Sequence, residues 1–142
     1  MTTKRPVNLD IGTIKFPLPA LVSITHRVSG VALFVAVGIL LWVLDGSLAS
    51  ADSFAAIKEC LTGTFAKIII WGCLSFLAYH TVAGIRHLIM DMGIGETLEG
   101  GQLGAKLVVV CSVILILLFD NFGFLASYIL EPIMEYKVRE VK

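Results

Sequence analysis

Residues 68–85 form an uncharged apolar run of eighteen residues bounded by Lys67 and Arg86, and that run decides what this chain can fold into. At 1.5 Å per residue it makes about 27 Å of helix, close to the hydrocarbon thickness of a bilayer. An ionisable side chain, His80, lies inside it. Such a group is costly in lipid, so it faces the protein interior and has a partner. Imidazole is the commonest biological ligand for haem iron. With Gly72, Ala78, Ala83 and Gly84 around it, His80 has two readings. It is a cofactor ligand, or it is hydrogen-bonded to a neighbouring helix.

Composition makes the membrane assignment general. Apolar residues are 57% of the 142 and charged residues 15%, against about 25% charged in a soluble domain; mean hydropathy is +0.90. The net charge is zero, which leaves no basic field for nucleic acid and no acidic field for cationic partners. Cys60, Cys73 and Cys111 are scattered and odd in number, without a C-x-x-C or C-x-x-C-H pattern. That argues against a disulfide framework, a zinc site and covalently attached c-type haem. Residues 1–16 are polar, with Lys4, Arg5, Asp10 and Lys15 before any apolar run, unlike a cleavable signal peptide.

Three spans are expected in a single membrane-anchor domain, residues 1–142. The first covers about 16–44, with Pro17 and Pro19 suited to a helix opening. The second covers 68–90. The third begins after Lys106, and its uncharged part stops after thirteen residues at Asp120; a helix over about 104–124 is expected. The loops fall at 45–66 and 91–103, the latter marked by Gly93, Gly95, Gly100 and Gly101. Pro132 separates the third span from a tail, 131–142, in which Glu135 and Arg139 are i,i+4 partners. Basic residues near the spans set orientation. Lys4, Arg5, Lys15, Arg27, Arg86 and Lys106 share one side, against Lys58, Lys67, Lys137, Arg139 and Lys142 on the other. This places the N-terminus inside.

Two constellations carry chemistry. Ser23, Arg27 and Gly30 recur at i, i+4 and i+7, one face of the first helix. A hydroxyl and a permanently charged guanidinium beside a small residue suit a carbonyl oxygen that gains negative charge on reduction, as in a quinone. His26 is adjacent and is able to hydrogen-bond a carboxylate such as a haem propionate. The alternative is that His26 and Arg27 only mark the membrane interface, snorkelling outward.

The second constellation is His80-Thr81-Val82-Ala83-Gly84-Ile85-Arg86-His87-Leu88-Ile89-Met90-Asp91. Cys73, His80 and His87 recur every seven residues, on nearly one face, and Gly84 leaves room for a flat macrocycle beside the backbone. By helical rise His80 and His87 are about 10.5 Å apart, too far to ligate one iron together. His26 sits near a helix end rather than at mid-membrane, so a six-coordinate haem on His80 needs its second axial ligand from another chain.

Taken together, Arg5-Pro6, Ser23-x-x-His26-Arg27-x-Ser29 and His80-x-x-x-Gly84-Ile85-Arg86-His87-x-x-Met90-Asp91 resemble the cytochrome b membrane-anchor subunits of bacterial succinate dehydrogenase, respiratory complex II. The similarity covers roughly residues 4–106. It implies an all-α membrane protein with three transmembrane helices, pairing with a second three-helix anchor subunit. It implies one haem b shared with that subunit, and docking of an iron–sulfur subunit and a flavoprotein subunit on the cytoplasmic face of the inner membrane. It implies His80 as an axial haem ligand, and Ser23 and Arg27 lining a ubiquinone site. His26, Arg86 and His87 are implied to lie near the haem propionates or the subunit interface. The chain departs from the family beyond its third span, where Asp120 and a charged tail continue to Lys142.

The expected function is electron transfer from the iron–sulfur partner to ubiquinone, in the respiratory chain and tricarboxylic acid cycle, by a subunit that is not an enzyme alone. The neighbouring alternative is a fumarate reductase anchor, the same fold run in reverse. The alternative of another class is a non-catalytic membrane adaptor or small transporter, with His80 and Arg27 as polar glue. The spans lack the paired carboxylates and broken helices of an ion pathway.

Overall fold

The computed structural model describes residue 10 and residues 12–140, with side chains described as far as residue 119 and at Asn121. Lys4, the Arg5-Pro6 pair, the Asp120 side chain, the Glu135–Arg139 pair and Lys142 lie outside the described residues and side chains. The described elements are all helical: α1 (Leu18–Ala49), α2 (Ala51–Thr62), α3 (Thr64–Asp91) and α4 (Leu98–Glu140). Among the described residues three stretches are long and apolar enough to cross a membrane, Leu18–Ala49, Thr64–Asp91 and Leu98–Phe119. The expected all-α architecture with three membrane helices is what is found.

The boundaries depart from expectation around both loops: α1 runs on to Ala49 rather than 44 and α3 begins at Thr64 rather than 68. The first loop contains α2, a helix that hydropathy does not reveal because it has no apolar run. It starts on a capping box: the Ser50 hydroxyl accepts from the Ser53 amide at 3.0 Å, and Ser53 Oγ accepts from the Ser50 amide at 3.0 Å. These contacts satisfy two amides that a helix start leaves unpaired. Ser53 Oγ also donates to the Gly46 carbonyl at 2.8 Å, which ties α2 back onto the end of α1. The second departure is α4, which begins at Leu98 and continues to Glu140, through Pro132. Its early start follows from Thr97, whose hydroxyl accepts from the Gly100 amide at 3.1 Å, an N-cap that outweighs the low helix propensity of Gly100 and Gly101.

Packing is inverted relative to a soluble bundle. Val31, Phe34, Leu40, Trp42, Phe65 and Leu117 are each more than half exposed, as lipid-facing residues are. The buried contact is built from small side chains: Val22 of α1, Ala83 of α3, and Ala105 and Val108 of α4. Small residues let helices approach closely where lipid supplies no hydrophobic drive for association. Arg86, 9% exposed, donates from Nη2 to the Gly101 carbonyl of α4 at 3.2 Å. A Cβ at Gly104 would stand 3.1 Å from Arg86 Nε. Arg86 thus serves the α3–α4 contact inside this chain.

The α3–α4 turn depends on backbone shape. Gly93 and Gly95 hold φ of 82° and 81°, conformations that glycine adopts without cost. A Cβ on Gly100 would lie 2.9 Å from Gly95 Cα and 3.0 Å from its carbonyl oxygen. Gly100→Ala gains up to about 1 kcal/mol of helix propensity. It also forces backbone apart, at about 1–3 kcal/mol for overpacking. The clash is with main chain rather than a flexible tip, so it wins. The expected result is a lower melting temperature for the purified protein in detergent; an unchanged or raised value would show that the turn yields freely.

Candidate functional site

Helices α1 and α3 meet in antiparallel register: Gly30 faces His80 and His26 faces Gly84. A Cβ on Gly30 would approach His80 Cε1 to 3.0 Å, and one on Gly84 would approach His26 Nε2 to 3.5 Å. The missing side chains make slots, one for each imidazole. His26 stacks on His80 with ring centroids 4.2 Å apart and 19° between planes, and lies 5.0 Å from the His87 ring at 43°. The three histidines therefore form one row across the α1–α3 seam. The row lies in the half of the bundle near the start of α1, since His26 is only about 12 Å of helical rise beyond Leu18.

His80 is held from one side. Its Nδ1 lies 3.0 Å from Ser29 Oγ and 3.2 Å from the His26 carbonyl, and Ser29 Oγ donates to that same carbonyl at 2.7 Å. One turn away, the Tyr79 hydroxyl donates to the Val22 carbonyl at 3.0 Å and pairs directly with the Thr25 hydroxyl. These bonds fix the rotation of α3 against α1. His26 Nε2 is buried and has no hydrogen-bond partner among the described residues. Leaving such an atom unpaired costs about 1–3 kcal/mol. Among the described residues no group of three or more His, Cys, Asp or Glu side chains is arranged to hold a metal ion; the imidazoles stack rather than converge.

Ser23 and Arg27 occupy the flank of α1 beside the histidine row. At about 100° per residue they stand roughly 60° and 100° around the helix from His26. Ser23 is half-buried and Arg27 exposed. A largely apolar cavity of about 630 Å³ opens on the other flank of α1, among Val22, Thr25, Tyr79 and Ser112, and neither Ser23 nor Arg27 lines it.

The structure thus brings His26, His80 and His87 together, with Ser23 and Arg27 alongside, and directs the Arg86 side chain to α4. Sequence reasoning did not assign roles to Ser29, Tyr79 and Thr25. The available signal was position: Ser29 is one turn from His26, and Tyr79 adjoins His80.

Known proteins bear on this geometry. Residues 1–119 match the family described as succinate dehydrogenase/fumarate reductase transmembrane subunit. The succinate dehydrogenase cytochrome b556 subunit of Coxiella burnetii is 41% identical over 119 residues, covering 83% of this chain and 95% of that protein. The corresponding subunit of Paracoccus denitrificans is 31% identical over 114 residues, covering 80% and 88%. The mitochondrial cytochrome b560 subunit of Sus scrofa is 36% identical over 100 residues, covering 68% and 58%. With three membrane-crossing helices and a family match over most of its length, this chain belongs to the succinate dehydrogenase/fumarate reductase transmembrane subunits.

Proposed function

We propose that this chain is the haem b-binding anchor of a succinate:quinone oxidoreductase, with His80 as an axial ligand and Ser23 and Arg27 on the ubiquinone. The observation that carries the reading is the one-sided tether of His80: with Nδ1 turned to the His26 carbonyl, Nε2 is the nitrogen left to bind iron. Ligating histidines commonly donate their other N–H to such a carbonyl. The unpaired, buried Nε2 of His26 is a second fit, because a propionate carboxylate gives it a partner. Bound haem supplies a one-electron carrier.

The remaining roles belong to the protein. His80 binds and orients. Arg27, charged at every working pH, attracts a quinone oxygen as negative charge grows there, and Ser23 adds a hydroxyl one turn away. Because Arg27 lies on an exposed flank, its pocket is completed by another chain, a second anchor subunit together with the iron–sulfur subunit. The flavoprotein subunit oxidises succinate, and electrons reach this site through the iron–sulfur subunit. The complex lies in the bacterial inner membrane with the N-terminus of this chain cytoplasmic.

A second axial ligand does not come from within. The His26 ring is stacked almost parallel on His80 at 4.2 Å, and parallel stacked rings do not point at each other across an iron. His87 is separated from His80 by two helical turns. Expressed alone, the chain is expected to hold no six-coordinate haem. Co-expression with its partner anchor should restore a b-type band in the reduced-minus-oxidised spectrum. A lone chain purified with stoichiometric bis-histidine haem would show that the second ligand has been misplaced.

A further inference from the structure

We propose that Ser29 is a positioning residue for His80, its hydroxyl oxygen accepting from the Nδ1–H that the His26 carbonyl fixes and so strengthening Nε2 as a donor to iron. The inference rests on the haem reading above and deepens it.

The assignment follows from counting protons. The His26 carbonyl only accepts, so its 3.2 Å contact with His80 Nδ1 places a hydrogen on that nitrogen. The single Ser29 hydroxyl proton is committed to the same carbonyl at 2.7 Å. Ser29 Oγ therefore meets Nδ1 at 3.0 Å as an acceptor. Nδ1–H is shared between two acceptors on one turn of α1, and Nε2 carries the lone pair. The serine proton, by bonding the carbonyl, links both acceptors into one unit. Ser29 is 1% exposed, so its hydroxyl is bonded within the protein rather than to bulk water. Gly30 admits the arrangement, since a Cβ there would stand 3.0 Å from His80 Cε1 and crowd the ring off its two acceptors.

An acceptor on the far N–H raises the basicity of a ligating imidazole. A more basic ligand favours ferric over ferrous iron, so losing the acceptor raises the midpoint potential. The test uses the assembled complex carrying Ser29→Ala or Ser29→Cys. Alanine removes hydroxyl and volume; cysteine keeps the volume but is a poor acceptor. Both variants are expected to retain stoichiometric haem and to show a higher midpoint potential in redox titration. The expected shift is up to about tenfold in the ferrous/ferric ratio at fixed poise, ~59 mV for one electron. Unmoved or lowered potentials would overturn the proposal. So would a shift in the alanine variant alone, which would assign the effect to packing. His80→Leu separates the two levels. If it loses the haem spectrum while the Ser29 variants stay at the parental potential, only the Ser29 role falls. If it keeps the spectrum, the ligand assignment falls, and the Ser29 role with it.

Discussion

His80→Leu in the assembled complex is expected to abolish the low-spin haem b spectrum while leaving most of the chain inserted. Leucine is apolar and of similar bulk, so the run 68–85 remains a membrane span. What disappears is the imidazole between Gly30 and the Ser29–His26 turn, which no other side chain replaces. His26 is stacked on the same ring at 4.2 Å, and its Nε2 sits against Gly84. For His26 to take over ligation, α1 would have to rotate against the Tyr79–Val22 bond and the small-residue contact of Val22 with Ala83. The measurement is a reduced-minus-oxidised spectrum normalised to protein. A low-spin b spectrum persisting at wild-type intensity would remove His80 from the site. Protein absent from the membrane altogether would assign it an assembly role.

The second large effect is expected at the flank of α1. Ser23→Ala and Arg27→Ala should each slow quinone reduction while leaving succinate oxidation by a soluble artificial acceptor nearly intact. Removing one charge-assisted hydrogen bond costs about 1.5–3 kcal/mol, roughly tenfold to a hundredfold if the bond is made in the transition state. Arg27 should give the larger loss, since it carries a permanent charge where Ser23 offers a neutral hydroxyl. Arg27 is exposed and Ser23 half-buried, and neither belongs to the buried helix contact. Their removal therefore leaves helix packing in place, and a selective loss is the expected pattern. Parallel loss of both activities would mean that these residues hold subunits together instead. A rise in quinone KM with unchanged kcat would limit Arg27 to ground-state binding.

The sequence by itself determined the membrane class, three spans and the residue types at the site. Hydropathy is a local property: 68–85 is long and uncharged whatever it packs against, and its length alone matches a bilayer. The motifs around His26 and His80 were also legible, because helical periodicity assigns residues to faces without a partner helix. The α2 helix was not, since its stability comes from the Ser50–Ser53 cap and its tie to Gly46 rather than from apolar spacing. Only the tertiary structure decided how the faces meet. Which side of α1 touches α3, and at what height, is set by Gly30 and Gly84 admitting an imidazole each and by Tyr79 reaching the Val22 carbonyl. That register carries His26 from beside a helix end into the row between His80 and His87. The same rotation turns Arg86 Nη2 toward the carbonyl of Gly101 on α4, with Nε left unpaired among the described residues, although Arg86 is next in sequence to His87. Neighbours along a helix diverge by about 100°, so adjacent residues serve different partners. No pattern within one helix states where the other helix stands.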